Sequence, residues 1–150
     1  MNLEQEIKQK AFRSEQSKLI VNLIYTYNQL KSRIATALKD EGVTMQQYNV
    51  LRIVKGAGAE GITTSEIRER MLDKMSDASR MVDRLETMEL LLKQRDRDDR
   101  RVIHVFLTEK GQRLVFRLME QETIDQLANG VKEESAQQLN ELLDAFRASL

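Results

Sequence analysis

The chain has 150 residues, 41% hydrophobic and 32% charged, and its 24 Lys/Arg balance 24 Asp/Glu to a net charge of zero. That is enough apolar material for the core of one well-solvated domain with appended helices, while no apolar run nears the roughly 20 residues needed to span a bilayer. The lack of cysteine excludes disulfides and thiol-based switching, and the lack of proline lets long helices run uninterrupted. Met1-Asn2-Leu3-Glu4-Gln5-Glu6 has neither the basic nor the apolar region of a secretion signal, so a cytoplasmic location is expected.

From about Ser17 to Lys39, apolar residues recur at helical spacing: Leu19, Leu23, Ile24, Tyr27, Leu30, Ile34 and Leu38. Gly42 ends this segment. Thr44 caps a second helix carrying Tyr48, Leu51 and Val54, which stops at Gly56-Ala57-Gly58. Thr63-Thr64-Ser65-Glu66 fits a capping box, with Ile62 and Ile67 placed as a hydrophobic staple. The short helix that follows runs to about Met71. Asp73 or Ser76 is expected to cap the next one, which buries Ala78, Val82 and Leu85. Ser76, Ser79, Arg80, Asp83 and Arg84 are left facing outward. Two short helices in this order describe a helix-turn-helix. The outward residues of the second are candidates for reading DNA in the major groove, Arg80 first among them because it lies in the N-terminal half.

Lys93 to Leu107 reads as a strand, a charged tip and a return strand in which Val102, His104 and Phe106 alternate with Ile103, Val105 and Leu107. The tip from Arg95 to Arg101 is wholly charged, so no core holds it. A β-ribbon with exposed arginines suits DNA phosphates or the minor groove, and Arg97 or Arg101 is expected to reach them. Thr108 then caps a long helix with Leu114, Val115, Leu118, Ile124 and Leu127, stopped by Asn129-Gly130. A last helix from about Lys132 carries Leu139, Leu142, Leu143, Phe146 and Leu150. The fold class expected is mainly α with a small β-hairpin wing: a winged helix-turn-helix flanked by dimerisation helices. Residues 44–110 form the winged lobe, and 14–40 and 112–150 the flanking helices. The apolar stripes of those helices either pack on each other within one chain or are pooled by two chains in an intertwined dimer, which suits a pseudo-palindromic DNA site.

Other motifs carry less. Gly56-Ala57-Gly58-Ala59-Glu60-Gly61 matches G-x-G-x-x-G, but it follows a helix and the strands foreseen are tens of residues away, so a turn is expected and not a dinucleotide site. His104 is the single histidine and has no metal-ligand set around it. Met71, Met75, Met81 and Met88 read as adaptable core filling. No nucleophile–base constellation occurs, and neither an enzyme nor a cofactor is indicated. The balanced charge is awkward for a nucleic-acid reader: Glu66 to Arg101 holds ten basic and ten acidic residues. A winged-helix module for protein–protein contact, without DNA binding, is therefore the alternative.

Several segments resemble one family. Thr44-Met45-Gln46-Gln47-Tyr48-Asn49-Val50-Leu51, Met81-Val82-Asp83-Arg84-Leu85-Glu86, Asp99-Arg100-Arg101 and Leu107-Thr108-Glu109-Lys110-Gly111 are similar, in order and spacing, to motifs of the multiple-antibiotic-resistance regulator (MarR) family. The likeness spans about residues 44 to 115. It implies a homodimeric winged-helix transcription factor, usually a repressor, whose recognition helix runs from about Asp73 to Met88 and which binds double-stranded DNA. It also implies a small-molecule effector in a cleft between the long helices and the winged lobe, near Tyr25 and Tyr48, that lowers DNA affinity. Two departures stand out: Glu89 where the family usually has glycine, and Asp77 where it often has serine or threonine. Asp77 would repel phosphate but could accept a bond from cytosine N4. The residues expected at DNA are thus Ser76, Asp77, Ser79, Arg80, Arg84, Arg97 and Arg101.

Overall fold

The computed structural model describes residues 2–120 and 124–150. Its helices are α1 (Leu3–Glu6), α2 (Glu15–Leu38), α3 (Met45–Ala57), α4 (Thr64–Arg70), α5 (Ala78–Thr87), α6 (Glu109–Glu120) and α7 (Glu133–Ala148). The strands are β1 (Ile62–Thr63), β2 (Leu91–Arg95) and β3 (Ile103–Leu107), in the antiparallel order β1-β3-β2. The mainly helical winged architecture is as expected.

Local chemistry explains most boundaries. Ser14 caps α2 and Thr44 caps α3, the latter in a full capping box with Gln47. Thr63 and Glu66 form the foreseen box at α4, and Ile62 and Ile67 are both buried in the core. In the wing, Leu91 pairs with Leu107 and Arg95 with Ile103, which puts Val105 into the core. One core gathers Leu38, Leu51, Val54, Ile62, Ile67, Val82, Leu85, Leu91, Val105 and Val115.

Four expectations need correction. The strands are not tens of residues from the glycine-rich segment: β1 follows it at once, pairing Ile62 with Val105. Two residues are too short to show an alternation, and β1 exists because β3 offers it an edge. The cap of α5 is neither Asp73 nor Ser76 but Asp77, whose Oδ1 accepts the Arg80 amide at 3.1 Å. Asp73 is already spent on the turn, accepting from the Met75 amide and the Ser76 hydroxyl. The second helix of the motif therefore starts at Ala78, later than the resemblance implied. Finally, α6 is described as far as Glu120, residues 121–123 lie outside the described residues, and Asp125–Ala128 form a 3-10 turn instead of a continued α-helix.

The flanking helices are poorly covered. Only Ile34 and Leu38, at its C-terminal end, anchor α2; no residue of α7 is buried. Among the described residues, no helix is long and apolar enough to cross a membrane.

Candidate nucleic-acid interface

The helix-turn-helix is held from behind. Asn49 on α3 accepts the Leu72 amide at 3.0 Å, fixing the α4–α5 turn, and Met71 fills the space beneath. Helix α5 turns Ala78, Val82 and Leu85 inward and leaves Ser79, Arg80, Asp83, Arg84 and Thr87 exposed. Ser76 is half-buried and Asp77 exposed at its start. Lys93 of β2 locks the far side of the helix: its ammonium lies 2.5 Å from Asp83 and 2.8 Å from Glu86. Those two carboxylates raise its pKa, so the lysine stays charged.

The wing tip is folded by two aspartates. Asp96 Oδ1 accepts the amides of Asp98 and Asp99 at 2.8 and 2.9 Å, and Asp99 Oδ1 accepts that of Arg101 at 3.0 Å. The amide donors, those of Asp99 and Asp98 first, hold the Asp96 carboxyl below the usual carboxylate range. Asp73 is lowered likewise, chiefly by the Ser76 hydroxyl, and Glu66 by the Thr63 amide and hydroxyl. Arg97, Arg100 and Arg101 are left exposed, and among the described residues no ion pair holds them.

The balanced charge is unevenly placed. Of the acidic residues, Glu66, Asp73, Asp77, Asp83, Glu86, Asp96 and Asp99 are turned onto backbone amides, hydroxyls or Lys93. Arg80 is the opposite case: 89% of its side chain is exposed, and its Nε is a loose 3.9 Å from Asp77. Arg84 has no ion-pair partner among the described residues. The module is neutral in sum, but its exposed arginines Arg80, Arg84, Arg97, Arg100 and Arg101 gather on one helix and one hairpin, where the Asp98 carboxylate is the exposed acid left without a partner among the described residues.

The two tyrosines fall apart. Tyr48 is buried, with Arg52 5.9 Å above its ring. Tyr25 lies on a polar groove with Arg33, and its hydroxyl is 3.0 Å from Glu6 and 3.1 Å from Gln29. A more apolar cavity of about 590 Å³ lies elsewhere, where the end of α3, β3 and the start of α6 meet. Val54, Phe106, Leu107 and Phe116 line it, with Lys55 and Arg113 at hand. Sequence reasoning missed it, since its walls come from segments some 50 residues apart and no local pattern joins them.

The chain can now be set beside known proteins. The model of a family described as transcriptional regulator SarA/Rot matches residues 29–118, more than half of the chain. The HTH-type transcriptional repressor MdtR of Bacillus subtilis is 34% identical over 95 residues, 63% of this chain and 60% of that one. The match thus spans about three-fifths of that repressor's length. Among solved structures, an organohalide-sensing transcriptional regulator in its 2,4-dichlorophenol-bound form superposes with a TM-score of 0.79 at 19% identity, covering 94% of this chain and 86% of the other. A MarR variant from E. coli complexed with operator DNA gives 0.71 at 22% identity, over 97% and 99% of the chains. At such low identity the two structures speak for the fold, and the family match speaks for kinship. The chain belongs to the SarA/Rot family of transcriptional regulators and carries the MarR-type winged helix.

Proposed function

We propose that the protein is a sequence-specific, ligand-responsive transcriptional repressor that binds a pseudo-palindromic operator as a homodimer. The observation that carries this reading is the set of exposed arginines, Arg80 and Arg84 on α5 and Arg97 and Arg101 on the wing, beside acids most of which are turned onto amides, hydroxyls or Lys93. Helix α5 enters the major groove with Ser76, Asp77, Ser79, Arg80 and Arg84 at its leading end, and the wing follows the backbone or the minor groove. Asp77 takes part chiefly as the cap that orients this end. Residues 44–110 are the DNA-binding lobe; 14–40 and 112–150 supply the dimer. The name of the B. subtilis relative and the operator-bound E. coli neighbour support the reading.

The test is a binding titration against an inverted repeat from the DNA flanking the gene and a scrambled control, over a range of salt. Affinity should fall steeply with added salt as counterions are released. Arg80→Ala should cost about 1–3 kcal/mol of discrimination, the worth of a bidentate arginine–guanine contact. Arg101→Ala should weaken both DNAs alike and lower the salt slope by about 1. Salt-insensitive binding, or unchanged affinity in both variants, would favour a protein-contact module instead.

An effector fits the same scheme. The cavity between α3, β3 and α6 pairs aromatic walls with two cations, which suits an amphipathic organic anion such as an aromatic carboxylate. Tyr25 and Tyr48 belong to other surroundings, and they remain candidates only for a dimer in which the grooves merge. A ligand acts solely through its differential affinity for the DNA-competent arrangement. Calorimetry of an aromatic carboxylate with and without operator should show affinities differing about 5- to 150-fold, and Lys55→Met should weaken the ligand. Equal affinities in the two titrations would remove the compound as an effector.

A further inference from the structure

We infer that His104 is a positioning residue for the wing: its imidazole braces the Asp96 carboxylate, and Asp96 in turn folds the arginine-bearing tip. The inference rests on the DNA-binding reading for its purpose, but not for its geometry.

The segment from Arg97 to Arg101 is wholly exposed and has no apolar anchor. Its shape must come from polar contacts. Asp96 supplies most of them, taking the Asp98 and Asp99 amides on Oδ1 and donating its own amide to the Val102 carbonyl at 3.0 Å. The turn is completed by the Val102 amide on the Asp99 carbonyl at 2.9 Å. A surface aspartate is free to rotate, and rotation would release both amides. What opposes it is the other oxygen: Asp96 Oδ2 lies 3.3 Å from His104 Nε2 on β3.

The histidine is suited to this task and poorly suited to packing. Its ring lies 6.4 Å from that of Phe106, tilted by 45°, so an apolar residue could fill the place. Yet its Nδ1 is buried without a partner. A carboxylate only accepts, so Nε2 is the donor in this contact. Burying an unpaired ring nitrogen is unfavourable, and the contact to Asp96 is what the imidazole offers in return. Across the sheet it pairs with Thr63 of β1, the residue that caps α4. His104 thus joins the helix-turn-helix to the wing tip, and the spacing of Arg80 from Arg97 and Arg101 depends on that junction.

The test compares His104→Leu, which removes the donor, with His104→Gln, which restores an N–H within reach. Hydrogen exchange of the Asp98 and Asp99 amides needs no DNA. It should quicken about 3- to 10-fold in His104→Leu, the worth of one hydrogen bond, and recover in His104→Gln, with the β2–β3 ladder unchanged. Operator affinity should fall by a similar factor in His104→Leu. Combined with Arg97→Ala and Arg101→Ala, His104→Leu should add little to the loss those two changes cause together, since His104 acts through the tip that carries both. Unaltered exchange at Asp98 and Asp99 would overturn the inference, as would additive losses in the combined variant. If His104→Leu loosens the whole lobe, His104→Gln decides: protected tip amides support the brace, exposed ones refute it. A wild-type protein that binds no operator would sink the proposed function while leaving the exchange result to judge the brace.

Discussion

Glu89 has φ +61°, in the left-handed region that favours glycine. The Leu90 amide bonds back to the Leu85 carbonyl and the Glu89 amide to that of Glu86, which is a Schellman closure of α5. The turn therefore keeps the shape that glycine would give it, despite the side chain. Such a conformation costs a non-glycine residue about 1–2 kcal/mol, offset in part by the larger chain entropy that glycine loses on folding. The exposed contact to Lys110 at 3.4 Å adds little. Glu89→Gly should thus stabilise the fold by about 0.5–1 kcal/mol and raise Tm by a few degrees. A lowered Tm would mean that the Lys110 contact matters more than the strain. Close by, the backbone leaves no alternative at Gly111, where a Cβ would stand 2.1 Å from the Leu90 carbonyl oxygen. The glycine of the Leu107-Thr108-Glu109-Lys110-Gly111 motif is there because the start of α6 lies against the backbone that follows α5.

Among the elements, α4 is the one whose start depends most plainly on a charge. Glu66 accepts the Thr63 amide at 2.9 Å and its hydroxyl at 2.7 Å, and its carboxyl is held below the usual range. A depressed carboxyl contributes stability that is present above the unfolded value and lost as pH falls through the folded one. Glu66→Gln keeps an acceptor for the cap but has nothing to titrate. Its denaturation midpoint should lie below that of the parent protein near neutral pH, and the two should converge on acidification below about pH 4. Parallel acid profiles for the two proteins would show that other carboxylates, Asp73 and Asp96 among them, carry the whole effect. The box at α4 was legible in the sequence because all its partners lie within four residues. The cap of α5 was not, because Asp73, Ser76 and Asp77 are chemically equivalent candidates and only the path of the turn chooses between them.

At the scale of the molecule, the long helices are unfinished. Leu19, Ile20, Ile24, Tyr27 and Leu30 on α2 are 40–58% exposed, and Leu139 and Leu142 on α7 are 53% and 69% exposed. Packing of these stripes on each other within one chain is the reading the structure does least to support, since no residue of α7 is buried. A second copy is the occupant we propose, because it would also pair two α5 helices for a two-fold operator. Sedimentation should give a dimer for the intact chain, and Leu142→Asp with Leu139→Asp should shift it to monomer while the winged lobe stays folded. A monodisperse monomer of the unaltered protein would end the dimer proposal.

The sequence by itself determined the elements that local chemistry dictates: the helical stripes, the caps at Thr44 and Thr63, and the alternating return strand with its charged tip. It also placed Arg80, Arg84, Arg97 and Arg101 on exposed surfaces, because charge at such positions has nowhere else to go. Tertiary structure alone decided what depends on distant partners. Strand β1 needs the edge of β3, the cap of α5 needs the path of the turn before it, and the aromatic cavity needs Lys55 and Phe116 brought together. The same holds for the charge. Composition counts Asp83, Glu86 and Asp96 against binding to DNA, and only the fold shows each of them already engaged by Lys93 or by backbone amides.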